Sequence, residues 1–297
     1  MPEGKEMAPG EMTALEGHRP AVLGAGVMGV GITTLALGHG LPVLLIDTDD
    51  EKLAGARAKI DYQLRMAQMV EALPDVPRGE LRTASTMDEV ADATAVIEAI
   101  TEVAALKVGV LAEAGKLIAP GTPLISNTSS IPIDELAAAV SRPEDVLGTH
   151  FMNPPYIIRT VELIRGPRTA FAAIESVRSL LSALGREPIV VRDAPGFVTS
   201  RVLHPMINDA ARVVQEGTAS VEQVDALMRG GLGHPTGPLR TADLIGIDNL
   251  VDSLWVLHDR TGDEGSRPCQ LLLDKVEEGH LGRKSGRGFY EYEVALP

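Results

Sequence analysis

The sequence predicts an α/β protein: a doubly wound parallel sheet followed by a smaller all-α domain. Three observations predict it. Up to Arg192, apolar runs of strand length alternate with segments of helix length, as strands joined by crossover helices do. The first run leads into Gly24-Ala25-Gly26-Val27-Met28-Gly29, a glycine-rich turn between a strand and a helix. Beyond Arg192 the periodicity is helical, with no convincing strand run. The boundary is set near residue 192, giving a short disordered tail over 1–18 and domains over 19–192 and 193–297.

Pro20 to Leu23 (PAVL) reads as a parallel strand buried on both faces. Met28 to Leu37 follows at helix length and stops at Gly38-His39-Gly40. Val43 to Ile46 is the next strand, closed by Asp47, and Glu51 to about Ala72 is an amphipathic helix broken by Pro74 and Pro77. Ala95 to Ile100, Leu124 to Ser126, Val146 to Thr149, Val161 to Ile164 and Ile189 to Val191 complete the strands. Leu106 to Leu117 and Pro132 to Val140 are the intervening helices. In the second domain Val198 to Gln215, Val221 to Met228 and Ile247 to Leu257 are the best helices.

Composition excludes several function classes. The 297 residues carry 27 Lys+Arg against 41 Asp+Glu, a net charge of −14 that opposes a nucleic-acid backbone or an anionic membrane surface. One Trp, four Tyr and four Phe leave no aromatic platform for stacking bases. The single cysteine, Cys269, rules out an internal disulfide framework and any multi-thiolate metal site, and reads as a small apolar filler. No metal-ligand spacing is present. The N-terminal stretch carries four Glu against one Lys and lacks the apolar core of a signal peptide, so a cytoplasmic protein is expected. Arg19 to Asp47 holds no charged residue between its ends, but six glycines and Pro42 make it two buried strands around a buried helix rather than a membrane span.

In the G-x-G-x-x-G pattern, Gly24 permits the tight turn, Gly26 lets backbone amides approach a pyrophosphate, and Gly29 lets the helix sit close to the sheet. Val27 and Met28 open that helix, whose N-terminus offers partial positive charge to a diphosphate. Asp47 ends the second strand, where a carboxylate accepts ribose hydroxyls. Thr48-Asp49-Asp50-Glu51 follows with no cation to receive a 2′-phosphate, so NAD is favoured over NADP. An ordinary helix-capping role suits Asp47 as well.

The second constellation is Gly148-Thr149-His150-Phe151-Met152-Asn153-Pro154-Pro155 followed by Val161-Glu162-Leu163-Ile164. His150 is placed just past a strand's C-terminal end, where open α/β sheets bind ligands. Imidazole titrates near working pH and suits a base, and Glu162 on the next strand is positioned to hold one ring nitrogen. A structural histidine fits the same residues. The remaining histidines (18, 39, 204, 234, 258 and 280) read as structural or surface groups. Ser126-Asn127-Thr128-Ser129-Ser130 suits either a turn or a substrate-facing loop at the end of its strand.

Taken together these residues resemble the 3-hydroxyacyl-CoA dehydrogenase family. GAGVMG at 24–29, IEAITE at 97–102, SNTSS at 126–130, GTHFMNP at 148–154, VELI at 161–164, DAPGFV at 193–198 and GRKSGRGFYEY at 282–292 occur in the family's order. The resemblance implies a Rossmann-like NAD-binding domain and a helical C-terminal domain that forms a homodimer. It makes His150 the base that takes the 3-hydroxyl proton, Glu162 its partner, and Ser129 the serine bonded to the reacting oxygen, with hydride passing from C3 to NAD+. Glu102, Lys107 and Asn153 match positions that line the nicotinamide half of the cofactor site.

Two departures bear on substrate. Ser200 stands where the family carries an asparagine that helps hold substrate and histidine, and a serine lacks the amide's paired donor and acceptor. The segment Asp61 to Asp88 is shorter than the family's Lys-rich excursion and holds only Arg65, Arg78 and Arg82 as basic residues, implying a weaker grip on the CoA 3′-phosphate. Beside a CoA thioester, the sequence therefore admits a hydroxyacyl or glyceryl group on an acyl-carrier protein, as in polyketide extender-unit biosynthesis, docked through Arg159, Arg165 and Arg168. A free small hydroxy acid anchored by Arg159, and a non-catalytic NAD(H)-binding protein, are the other readings.

Overall fold

A computed structural model describes residues 17–293. The chain divides into two compact units between Ala194 and Pro195. Of the expected tail, residues 1–16 lie outside the described residues.

The first unit is built on eight strands: β1 (Pro20–Leu23), β2 (Val43–Ile46), β3 (Leu81–Ala84), β4 (Ala95–Glu98), β5 (Leu124–Ser126), β6 (Val146–Phe151), β7 (Thr160–Arg165) and β8 (Glu187–Arg192). Their order is β3-β2-β1-β4-β5-β6-β7-β8. Among the described residues five helices accompany them: α1 (Val27–Gly38), α2 (Asp50–Met69), α3 (Ala104–Leu117), α4 (Ile133–Ala137) and α5 (Phe171–Ala183). β1, β4, β5 and β6 are buried throughout, which is why their apolar residues run consecutively rather than alternating with polar ones. Leu35, Leu37, Leu45, Ile60 and Ile125 are among the fully buried side chains of this core.

The sheet is not wholly parallel. β1 to β6 run in one direction, but β6 and β7 pair antiparallel, and β8 is parallel to β7. The connection from β6 to β7 spans only residues 152–159 and holds no helix, too short for the crossover that a parallel return requires. From β7 to β8 the chain passes through α5, and the parallel relation returns. β3 and α5 are additions to the elements read from sequence.

The second unit contains α6 (Thr199–Gln215), α7 (Val221–Leu232), α8 (Pro238–Ile245), α9 (Ile247–Thr261) and α10 (Gln270–Glu277). α7 starts in a capping box, with the Ser220 side chain and the Gln223 amide group exchanging hydrogen bonds with each other's backbone. Ile207, Leu239, Leu250, Leu254 and Leu272 form its core with Cys269, whose thiol burial pushes up in pKa. Two buried aspartates clasp the C-terminal segment. Asp225 accepts from Leu239 N, Arg240 N and the Tyr290 hydroxyl, at 2.9, 3.0 and 2.8 Å. Asp243 accepts from Phe289 N and Tyr290 N, at 2.8 and 2.9 Å, and from the Tyr292 hydroxyl at 3.0 Å. A Cβ on Gly288 would lie 2.0 Å from Asp243 Oδ1, so the motif's glycine makes room for the carboxylate.

Candidate active site

At the end of β1 the chain turns sharply: Gly24 has φ +105°, and its N–H donates to Ile46 O at 2.7 Å. Only glycine adopts that conformation without strain, and a Cβ there would lie 2.7 Å from Ala99 O. A Cβ on Gly29 would lie 1.8 Å from Gly24 O, so the third glycine lets α1 begin against its own turn. Around Gly26 nothing lies within 4 Å of such a position. Gly26 caps α1 with no side-chain acceptor, and the first turn carries no acid. An uncapped helix N-terminus behind an open glycine fits the pyrophosphate of a dinucleotide. Val27 is exposed and Met28 half-buried beside it.

Asp47, half-buried at the end of β2, accepts Ala25 N on Oδ2 at 2.7 Å and Asp49 N on Oδ1 at 3.0 Å. It therefore ties the glycine turn to the strand that would face the ribose. The α2 cap is supplied by Asp49, whose Oδ1 accepts from Glu51 N and Lys52 N, and not by Asp47.

Ligands gather where the strand order reverses, which here is between β1 and β4. The C-terminal ends of β4 and β5 hold a charged cluster at that point. Glu98 is fully buried, and Lys107, in the first turns of α3, is 1% exposed. Lys107 Nζ lies 2.6 Å from Glu98 Oε1 and 3.1 Å from Glu102 Oε2. Glu102 Oε1 in turn accepts from the Thr128 hydroxyl and from Ser129 N, the latter at 3.1 Å. The sequence singled out Glu102, Lys107 and Ser129 but not Glu98, whose position inside an apolar strand was the available sign.

His150 lies within β6, one residue before its end, and not past the strand as its sequence suggests. The antiparallel register sets it opposite Glu162 of β7. His150 is 9% exposed and Glu162 5%. His150 Nδ1 lies 2.8 Å from Glu162 Oε2, where Nδ1–H donates to the carboxylate. Beside them Asn127 Oδ1 accepts Phe151 N at 3.1 Å, tying the serine-rich loop to β6.

Two further groups escaped the sequence reading. Asp193, first residue of the DAPGFV motif, accepts Ile133 N and Asp134 N at 2.9 and 2.8 Å and so caps α4 just after that loop. Burial pushes its carboxyl above the usual range. Arg186, buried, donates to the carbonyls of Leu184, Pro155 and Ile158 at 2.9, 3.1 and 3.1 Å, holding the loop that carries Asn153. Asn153 itself is exposed. Ser200 belongs to the second unit, buried in the first turn of α6.

Of the basic groups read as contacts for a carrier protein or for the CoA 3′-phosphate, Arg168, Arg78 and Arg82 are engaged within the chain. Arg168 donates to Asp134 Oδ1 at 2.7 Å and to Asp134 O at 2.6 Å. Arg78 pairs with Asp61, and Arg82 with Glu89. Of the histidines, His204 is buried with Nδ1 2.7 Å from Ser253 Oγ, more company than its sequence neighbours indicate. Among the described residues no helix is long and apolar enough to cross a membrane.

The family model described as 3-hydroxyacyl-CoA dehydrogenase, NAD binding domain, matches residues 20–194, and the model of that family's C-terminal domain matches residues 196–292. The chain belongs to the 3-hydroxyacyl-CoA dehydrogenase family. It is an NAD-dependent oxidoreductase acting on a CH–OH group, which removes the non-catalytic reading. A probable 3-hydroxybutyryl-CoA dehydrogenase of Bacillus subtilis is 41% identical over 276 residues, covering 92% of this chain and 96% of that one. The 3-hydroxybutyryl-CoA dehydrogenase of Bradyrhizobium diazoefficiens is 40% identical over 280 residues, covering 93% and 96%. The crystal structure of (S)-3-hydroxybutyryl-CoA dehydrogenase from Ralstonia eutropha superposes with a TM-score of 0.84 at 37% identity, covering 93% of this chain and 99% of that one.

Proposed function

We propose that this dehydrogenase oxidises the 3-hydroxyl of a short 3-hydroxyacyl-CoA, of the hydroxybutyryl kind its relatives are named for, to the 3-oxoacyl thioester. The observation that carries the reading is the buried His150–Glu162 pair in register across β6 and β7. In this mechanism His150 Nε2 takes the hydroxyl proton. Glu162 keeps the ring in the tautomer that can accept it and stabilises the imidazolium that forms. The Ser129 hydroxyl donates to the oxygen that becomes a carbonyl, and Ser200 supports the substrate side in place of the family's asparagine. Gly24, Gly26, Val27, Met28 and Gly29 form the phosphate turn, Asp47 receives the adenosine ribose, and Glu102, Lys107 and Asn153 border the nicotinamide. Bound there, NAD+ supplies the hydride acceptor.

The helical unit exposes the apolar side chains Val202, Leu227, Leu232 and Leu244, which supports a homodimer built on the second of the two proposed domains, 193–297. A cytoplasmic location completes the reading. The acyl-carrier-protein alternative is the weaker reading, since Arg168 of its docking patch is bound to Asp134 and the relatives are named for CoA substrates.

The test follows NADH formation with a 3-hydroxybutyryl group on CoA and on a phosphopantetheinylated carrier protein. Turnover on CoA that is abolished by His150→Ala, with NAD binding retained, is the expected result. Preference for the carrier protein overturns the choice of substrate, and joint loss of turnover and NAD binding overturns the role given to His150.

A further inference from the structure

We propose that Glu98 is a positioning residue for hydride transfer, a buried carboxylate at the sheet's switch point that sets where Glu102 and Ser129 stand. The inference rests on the reading that those two residues border the reacting groups.

Glu98 ends β4 and lies in register with Leu23 on one side and Ser126 on the other. Leu23 precedes the phosphate turn, and Ser126 opens the serine-rich loop. One residue therefore stands between the two segments that must be held in fixed relation. Its Oε1 accepts Lys107 Nζ at 2.6 Å and Ile100 N at 2.8 Å, its Oε2 accepts the Ser126 hydroxyl at 2.6 Å, and its backbone oxygen accepts Asn127 N at 2.8 Å.

Two routes run from this carboxylate to Ser129. Through Lys107 it holds Glu102, which accepts Ser129 N and the Thr128 hydroxyl. Through Ser126, whose Oγ accepts Thr128 N at 3.3 Å, it holds the same loop from the strand side. The routes close a ring, so neither Glu102 nor the loop can shift alone.

Stability is a poor reason for such a cluster. Two buried charges sacrifice hydration, and apolar side chains of similar volume commonly stabilise as well or better. What an apolar pair cannot supply is a fixed hydrogen-bond direction at Glu102 and at the Ser129 amide.

The experiment compares wild type, Glu98→Gln, Ser126→Ala and the double variant Glu98→Gln/Lys107→Met on 3-hydroxybutyryl-CoA, with thermal melts and amide hydrogen exchange on the cofactor-free proteins. Expected for Glu98→Gln are a kcat lower by on the order of 100-fold with a much smaller change in KM for NAD+, since misplacement near 1 Å has that effect. Faster exchange of the 126–130 segment accompanies it, with β6 unaltered. Ser126→Ala, which keeps every charge, shows the same split to a lesser degree. The double variant, which removes both members of the buried ion pair, folds and still has the low kcat. Folded Glu98 variants with wild-type kcat and wild-type exchange overturn the proposal. So does a Glu98→Gln that fails to fold beside a Ser126→Ala unchanged in both readouts, which makes Glu98 a structural residue alone. If wild type itself does not oxidise the thioester, the substrate reading has failed, and hydrogen exchange still decides the role of Glu98.

Discussion

Glu162 faces His150 directly across the antiparallel pair of the sheet, with Nδ1 and Oε2 2.8 Å apart. The reversal of chain direction between β6 and β7 creates this relationship. Directly opposed residues of an antiparallel pair hold their Cβ atoms about 4.5–5.5 Å apart, a span that imidazole and a glutamate bridge without distortion.

That geometry predicts separate roles for the two side chains. His150→Ala lowers kcat by roughly 10²–10⁴-fold through loss of the base, and it lowers the melting temperature as well because it takes this partner from the buried Glu162 carboxylate. Glu162→Gln lowers kcat less and leaves KM for both substrates near wild type, because an amide oxygen still accepts Nδ1–H but does not balance a positive ring. Steady-state kinetics on both variants check this, and equal kcat in Glu162→Gln and wild type refutes the partner role.

The three glycines of the turn predict three different failures. Gly29→Ala drives a methyl into Gly24 O and destabilises the fold. Gly24→Ala meets Ala99 O and demands a positive φ of an alanine, at a cost of about 1–2 kcal/mol for the backbone alone. Gly26→Ala touches nothing in the protein, so its melting temperature stays at wild type while KM for NAD+ rises. Thermal melts beside cofactor titrations separate these outcomes, and a Gly26→Ala with unaltered NAD+ affinity removes that glycine from the phosphate site.

These glycines also show what a single sequence reveals. The βαβ unit around residues 20–47 was readable because its strands are buried on both faces and its turn has a chemical reason for each glycine. β3 was not, since Leu81-Arg82-Thr83-Ala84 is an edge strand with one well-buried apolar residue, and four such residues are too few to show a periodicity. The direction of β7 was hidden because period and burial are the same in either orientation, and only the short 152–159 link marks the reversal. For the site, His150 and Glu162 were recognised, but the pairing that justifies them depends on strand register. Glu98 resembled a stray polar residue within AVIE until its ring of partners was visible.

Asp47 has two tasks, and its variants should reveal both. It accepts Ala25 N, and in the proposed function it also receives the adenosine ribose. Asp47→Asn keeps the volume but loses charge-assisted acceptance, worth about 1.5–3 kcal/mol per hydrogen bond to a charged group. KM for NAD+ accordingly rises on the order of 10–100-fold, kcat changes little, and the preference over NADP narrows. Unchanged discrimination between the two cofactors in Asp47→Asn assigns the carboxylate to the turn alone.

His39 predicts how stability depends on pH. It is buried after α1 with Nδ1 donating to Leu35 O at 2.9 Å. Burial, aided by the nearby Arg186 cation and opposed by the Leu35 bond, lowers its pKa from 6.5 to about 4. Between those values the unfolded chain holds a proton that the folded chain does not, so stability falls as pH drops from 6.5 toward 4. At 1.36 kcal/mol per unit the whole effect is roughly 3 kcal/mol. His39→Gln, neutral throughout, still has an amide to offer Leu35 O, so it loses less stability across that window than wild type does. Denaturation midpoints at several pH values measure the difference, and parallel curves for the two proteins mean that the imidazole is protonated in the fold as readily as in the unfolded chain.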